Sequence, residues 1–317
     1  MLKPTISTVA VVGVGVIGRS WVRVFAEAGC ETRLYDLDPR QVERALAWLA
    51  ADLKQDQADG LIDTARAAGL QARLTAHSML DQAVAGAGYL QENGPENLSF
   101  KQGLFAQLDR HADPSAVLAS STSSLDMSAI AEALPNAARC VVAHPINPPH
   151  VIPVVEILAG ERTSPETVHR ARAFLASVGQ KPVVLSRYVR GFLSSRLHIA
   201  LLREAIDLVD RGVADVDAVD TVLRDGLGLR WALLGPFGVA DTNADGGVAE
   251  YLGRYRQAYM EMRDDIGSGS SLSPELIDRL ANATAARSGG ATRAETRRWR
   301  DRMVRKIQRL KELDPPP

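Results

Sequence analysis

The chain has 317 residues, 46% of them hydrophobic and 24% charged, with a formal net charge of −1. That is ordinary globular composition, with enough chain for one large domain or two smaller ones and a core that needs no disulfides. The near-zero charge gives no whole-protein field to attract nucleic acid or an anionic membrane, and no apolar run is long enough to span a bilayer.

Residues 9–17 follow Lys3 like a short signal peptide, but they lack a small-residue cleavage site and carry Gly13 and Gly15, with Gly18 just beyond. They read instead as a strand entering G-x-G-x-x-G and then an amphipathic helix. Such glycines permit a tight turn, close approach of a pyrophosphate to the backbone, and close packing of helix on strand. The helix start at Val16, Ile17 and Gly18 presents unpaired amides to phosphates. A second strand at 31–35 ends at Asp36, eighteen residues after Gly18. A carboxylate there accepts from both adenosine ribose hydroxyls and repels a 2′-phosphate, so the expected cofactor is NAD. Arg33 and Arg40 lie nearby and leave NADP open.

Residues 40–68 are longer than one crossover helix needs and predict a helical excursion. Further strands are expected at 89–91, 116–120, 140–143 and 154–157, with a late addition at 182–185. Short β-branched runs between amphipathic helices predict an α/β, Rossmann-type, doubly wound and mostly parallel sheet. The hydroxyl-rich run 119–125 follows one of these strands. It reads equally as a ligand-binding strand end and as a turn capping a helix from Asp126 or Ser128.

The strand at 140–143 delivers His144 at its end, and Pro145, Pro148 and Pro149 stiffen the segment beyond it. Glu156 lies twelve residues on, inside the apolar run 154–158. A carboxylate among aliphatics needs a partner, because an unpaired buried charge is costly. His144 is the natural one. Such a pair fixes the imidazole tautomer and stabilises the protonated ring, as an alcohol-oxidising base requires. A purely structural His–Glu pair is the alternative. His144 and His150 have no third ligand at sensible spacing, so no metal is expected. Cys30 and Cys140 likewise lack metal spacing and read as buried thiols of a reducing compartment, with the cytoplasm as the default address.

After Ser186 the β-branched runs thin out. The organisation expected is a dinucleotide-binding domain at 1–188 and a smaller all-helical domain at 189–317. Leu193, Leu197, Leu201, Ala205 and Leu208 repeat every three or four residues and predict one buried helix face. A Gly/Ser loop is expected at 267–273, a helix from Pro274, and a fraying tail at 314–317. The basic run 293–311 is interrupted by Glu295 and Asp301 and reads as a solvated helix face rather than a nucleic-acid surface.

The stretches VVGVGVIGRSW, LYDLD, LQENGPENL, SSTSSL, VAHPINPPHVIPVVEI, GFLSSRL, GLGLRWALLGPF and RRWRD together resemble the 3-hydroxyacyl-CoA dehydrogenase family across nearly the whole chain. The likeness is greatest to the branch that contains lambda-crystallin, an L-gulonate 3-dehydrogenase. The resemblance implies that His144 is the catalytic base, Glu156 its orienting carboxylate, and Ser123 the donor to the reacting oxygen. It places Glu96 and Lys101 near the nicotinamide half of the cofactor and Asn147 near substrate and cofactor. It also implies a homodimer formed through the helical domain.

Two departures stand out. The family's G-F-x-x-N-R becomes Gly191-Phe-Leu-Ser-Ser-Arg196, so Ser195 replaces an active-site asparagine and loses its amide donor. Gly228-Leu-Arg-Trp-Ala-Leu-Leu-Gly-Pro236 replaces the shorter glycine-rich entry of the acyl-CoA enzymes. Arg230 is there a candidate to hold a free substrate carboxylate bidentately, with Trp231 as a pocket wall; a salt bridge is the alternative. The expected reaction is NAD-dependent oxidation of the secondary alcohol of an L-3-hydroxy acid, L-gulonate-like or another short free carboxylate. A short-chain L-3-hydroxyacyl-CoA substrate, or a non-catalytic NAD-binding protein, are the alternatives.

Overall fold

The computed structural model describes residues 4–263, 265–266, 272–286 and 291–313. Two compact units divide in the sequence between Ser194 and Ser195.

In the first unit β1 (Thr8–Val12) leads into α1 (Val16–Glu27) and β2 (Glu31–Tyr35). Two helices, α2 (Pro39–Ala58) and α3 (Thr64–Gln71), precede a short β3 (Leu74–Ala76). Then come α4 (Leu80–Val84), β4 (Tyr89–Glu92), α5 (Leu98–His111) and β5 (Val117–Ser120). A short α6 (Met127–Ile130) precedes β6 (Cys140–Pro145), and β7 (Val154–Ala159), α7 (Pro165–Ser177) and β8 (Lys181–Leu185) follow.

The eight strands lie in the order β3-β2-β1-β4-β5-β6-β7-β8, parallel throughout except where β7 returns antiparallel to β6. The strand order reverses between β1 and β4, the place where doubly wound sheets bind ligands at their carboxyl ends. Helices cover both faces, which is why β1 is apolar from Val9 to Val12 instead of alternating. Val9 and Val11 pack into one core with Trp21, Phe25, Leu49 and Phe174. Ala10 and Val12 pack into the other with Leu90, Phe105 and Leu118.

The excursion expected at 40–68 is two helices, each started by an aspartate: Asp38 accepts from the Arg40 amide, and Asp63 from the Arg66 amide. Arg23 on α1, almost wholly buried, is ion-paired to Asp52 and Asp56 on α2. The edge strand β3 is not foreseen from the sequence. Leu-Thr-Ala is too short and too polar to signal a strand, and it exists only because β2 offers it a ladder.

Entering the second unit is α8 (Ser194–Asp210), followed by α9 (Val216–Thr221) and a π-helical turn at Val222–Leu227. Beyond lie α10 (Gly228–Thr242), α11 (Gly247–Met262), α12 (Pro274–Ala286) and α13 (Arg293–Leu313). Among the described residues this unit is all helical. Gly235, at φ +70°, kinks α10 just before Pro236. Pro274 opens α12 as expected, whereas residues 267–271 of the anticipated loop and the tail 314–317 lie outside the described residues.

One expectation is corrected. The apolar face of α8 is not buried by the chain itself: Leu193 just before the helix, Leu197 and Leu201 are exposed, Leu197 at 61%, Ala205 and Leu208 are half-buried, and Asp207 is the buried residue of that helix. A helical period reveals an apolar stripe but not what covers it.

Candidate active site

The carboxyl ends of β1, β4, β5 and β6 lie side by side and carry the chemically interesting side chains. Gly13 follows β1 at φ +82°, and a Cβ there would stand 3.0 Å from the Asn93 backbone. A Cβ on Gly18 would lie 1.9 Å from the Gly13 carbonyl oxygen, so α1 can approach the turn this closely only without a side chain. Gly15 faces open space, with nothing within 4 Å of a hypothetical Cβ, and no side chain caps α1. Asp36 sits beside this turn. Its Oδ2 accepts from the Val14 amide at 2.9 Å and its Oδ1 from the Asp38 amide at 3.0 Å. An open glycine cradle, uncapped amides at Val16, Ile17 and Gly18, and an anchored carboxylate fit a dinucleotide. Of the two arginines that left NADP open, Arg40 is ion-paired to Asp38 and Arg33 donates to the Ala85 carbonyl.

Beneath the turn is a polar network that sequence reasoning missed. Ser121 Oγ donates to Asn93 Oδ1 at 2.7 Å and accepts from Gln91 Nε2 at 2.7 Å and Trp21 Nε1 at 3.1 Å. Asn93 Nδ2 in turn donates to the carbonyls of Gln91 at 2.9 Å and Gly13 at 3.2 Å. These bonds lock the ends of three strands to one another. The only hint in the sequence was a cluster of polar residues directly after two apolar strands.

Lys101 and Glu96, anticipated together, occupy different settings. Lys101 is 1% exposed, and its ammonium donates to Glu92 Oε1 at 2.7 Å, Glu92 Oε2 at 2.9 Å and the Gly94 carbonyl at 3.3 Å. All three donors are spent within the protein. Glu92, itself fully buried, also accepts from Ser120 Oγ and the Gly94 amide, each at 2.6 Å. Glu96 lies just before α5 and binds the hydroxyl-rich segment. Its Oε1 accepts from Thr122 Oγ1 at 2.6 Å, Ser124 Oγ at 2.9 Å, and the Ser123 and Ser124 amides at 3.0 and 2.9 Å. Burial alone would raise the Glu96 carboxyl. The bonds from Thr122, Ser124 and Ser123 and the nearby Lys101 charge outweigh it and hold the group below the usual glutamate range. Ser123 Oγ, the anticipated donor to substrate, is exposed and lies 3.3 Å from Glu96 Oε1.

His144 and Glu156 are direct register partners on the antiparallel pair β6–β7, with Nδ1 2.8 Å from Glu156 Oε2. Adjacent positions on one face of an antiparallel pair bring side chains together, so the hairpin itself builds the dyad. Glu156, 2% exposed, accepts three further hydrogen bonds: from the Leu193 and Ser194 amides on Oε1, both at 2.8 Å, and from Ser194 Oγ on Oε2 at 2.6 Å. Burial pushes this carboxyl upward. The bonds from His144, the Ser194 hydroxyl and the two amides prevail and keep it below the ordinary glutamate value. An ionised carboxylate can only accept, so Nδ1 carries the proton, and in the neutral ring the lone pair is on Nε2.

Phe192 packs its ring 5.3 Å from the His144 ring, centroid to centroid, and is fully buried. Its φ of +48° is rare for a bulky residue and costs about 1–3 kcal/mol. That turn delivers the Leu193 and Ser194 amides to Glu156, and the buried ring offsets its strain. Asn147 is exposed in the loop after β6. Ser195 and Arg230 belong to the second unit, in the first turns of α8 and α10. Arg230 is exposed and makes no ion pair among the described residues, unlike the salt bridge held open for it.

Comparison with known proteins adds independent findings. The model of the 3-hydroxyacyl-CoA dehydrogenase NAD binding domain matches residues 8–188, and that of the same enzyme's C-terminal domain matches residues 191–293. Lambda-crystallin of Oryctolagus cuniculus is 36% identical over 314 residues, 98% of each chain. L-carnitine dehydrogenase of a Pseudomonas species is 35% identical over 303 residues, 93% of this chain and 91% of that one. Among solved structures, 5-formyl-3-hydroxy-2-methylpyridine 4-carboxylic acid 5-dehydrogenase, an NAD+-dependent dismutase, superposes with a TM-score of 0.78. It is 29% identical, and 98% of each chain is covered.

Proposed function

The chain belongs to the 3-hydroxyacyl-CoA dehydrogenase family and is an NAD-dependent oxidoreductase, and on that basis we propose that it oxidises the secondary alcohol of a small L-3-hydroxy acid bearing a free carboxylate. The observation that carries this reading is the dyad: an imidazole whose Nδ1 is committed to a buried, ionised glutamate, leaving Nε2 free to receive a proton. His144 takes the hydroxyl proton, and Glu156 offsets the charge the ring acquires. Ser123 orients the alcohol oxygen, Phe192 keeps water from one side of the ring, and Asn147 lies against the substrate. NAD, held by the Gly13–Gly18 turn and Asp36, with Glu96 near its nicotinamide half, supplies the hydride acceptor when bound. Lys101 serves that end of the cofactor through Glu92 and Gly94, which it braces.

Support for a free acid comes from both sides. L-carnitine is a 3-hydroxy acid with an unesterified carboxylate, and the dismutase is named for a pyridine carboxylic acid. Arg230 supplies an exposed guanidinium with no ion-pair partner among the described residues, suited to a bidentate carboxylate contact. L-Gulonate, L-carnitine and 3-hydroxybutyryl-CoA, each offered with NAD and with NADP, form the decisive panel. Turnover is expected with a free acid and NAD. Activity confined to the thioester, or none with any of the three, would overturn the proposal. Arg230→Met is expected to raise KM for the acid roughly 10–100-fold with little change in kcat, the worth of a charged hydrogen-bonded pair. An unchanged KM removes Arg230 from the site.

The exposed apolar residues of the second unit support a homodimer. Leu197 and Leu201 on α8 and Phe237 on α10, the last 79% exposed, are left uncovered by the chain itself. Sedimentation at twice the chain mass, reduced to the monomer by Leu197→Arg, is the expected result; a native monomer refutes it. The two cysteines are buried and free, and burial pushes both thiols up to about 12, which suits a reducing, cytoplasmic setting. Among the described residues no helix is long and apolar enough to cross a membrane.

A further inference from the structure

We propose that Ser194 is a positioning residue that sets the proton affinity of the His144–Glu156 pair by donating its hydroxyl to the same glutamate oxygen that holds the imidazole. The inference rests on the dyad reading above and deepens it. Glu156 Oε2 receives two donors, His144 Nδ1 at 2.8 Å and Ser194 Oγ at 2.6 Å. Oε1 receives the Leu193 and Ser194 amides, both at 2.8 Å. Two amides already satisfy the start of α8 and hold the carboxylate in place. The hydroxyl is therefore surplus to capping, and its effect falls on the oxygen facing the ring.

A hydrogen bond to the ionised carboxylate stabilises that form and draws charge from Oε2. Less charge there means weaker stabilisation of a protonated imidazole. The pair then keeps its base form to lower pH than it would without Ser194. Coupled groups titrate together, so the observable is the acid limb that belongs to the pair.

The surroundings leave this effect visible. Nearby on the sheet, Glu92 and Lys101 pair with each other, and Glu96 is bound by Thr122, Ser123 and Ser124. Val183 on β8 is the uncharged register partner of Glu156. Arg187 and Arg190 before α8 and Arg196 within it are exposed, and Tyr188 donates to the Ser124 carbonyl. None of these makes a hydrogen bond or ion pair with His144 or Glu156.

The test is the pH dependence of kcat/KM for the native protein, Ser194→Ala and Ser194→Thr, together with the titration of the pair read from the His144 ring resonances in the substrate-free protein. Ser194→Ala is expected to move the acid limb and the ring titration upward together, by about half to one pH unit. Ser194→Thr, which restores the hydroxyl, is expected to return both. If Ser194→Ala does not fold, Ser194→Cys, a weaker donor, is expected to shift both the same way by less. A merely structural role lowers kcat or stability without moving either, and that result overturns the inference. Because the ring titration needs no turnover, it stands apart from the dyad's role in catalysis. Full activity in His144→Gln would sink that role, whereas an unmoved titration in Ser194→Ala sinks this inference alone.

Discussion

Replacing His144 with glutamine is expected to lower kcat/KM by about 10²–10⁴ while leaving the affinity for NAD within about twofold. Glutamine keeps a donor for Glu156 Oε2, now bound by the ring at 2.8 Å, so the buried carboxylate is not stranded and the fold survives. What is lost is the Nε2 lone pair, the only basic atom the dyad presents. The turn proposed to hold the cofactor is made of backbone and Asp36, and among the described residues neither forms a hydrogen bond with His144. Steady-state kinetics and NADH-fluorescence titration separate the two effects. Equal loss of turnover and cofactor affinity would mean that the substitution disturbs the sheet rather than the chemistry. Retained turnover would show that another group takes the proton.

The second large effect concerns stability. Lys101→Met is expected to destabilise the first unit by roughly 3–5 kcal/mol, because it strands Glu92 in the core without its counter-charge. Both side chains are essentially inaccessible, and the ammonium supplies both close contacts from a charged group to the carboxylate. Ser120 Oγ and the Gly94 amide remain, but two neutral donors cannot balance a buried anion. Combining Lys101→Met with Glu92→Leu is expected to recover most of the loss, since an apolar pair of similar volume often replaces a buried ion pair at little cost. Urea unfolding of the two variants measures both steps. If the single variant loses less than about 1 kcal/mol, the pair is not the keystone of this strand end. Gly94 follows Asn93, against which the Gly13 turn packs, so NAD affinity is expected to fall with stability in the single variant and return in the double one.

The glycine turn after β1 shows how much local pattern carries. Three glycines at fixed spacing, an apolar strand before them and an acid after the next strand are short-range facts, and each has one physical use. Strand and helix there follow from backbone constraint and burial on both faces, both written in neighbouring residues. The His144–Glu156 pairing was also legible, although twelve residues separate the two. A carboxylate among aliphatics had to find a partner, and a histidine at the end of the preceding strand was within reach of a hairpin.

The order of residues alone thus carries the class of fold, the glycine turn with the acid beside it, and the chemical need that joins one histidine to one glutamate. Which other groups stand beside them is a matter of folding in three dimensions. Ser194 reaches Glu156 across 38 residues, and Glu96 reaches Thr122 across 26, because strand register and the Phe192 turn bring them there. Packing likewise buries Lys101 against Glu92 and leaves the leucines of α8 uncovered by their own chain. The difference is one of range. Propensity, periodicity and burial act between residues close in the chain, whereas a hydrogen-bond partner is chosen by whichever atoms the packed sheet sets within about 3 Å.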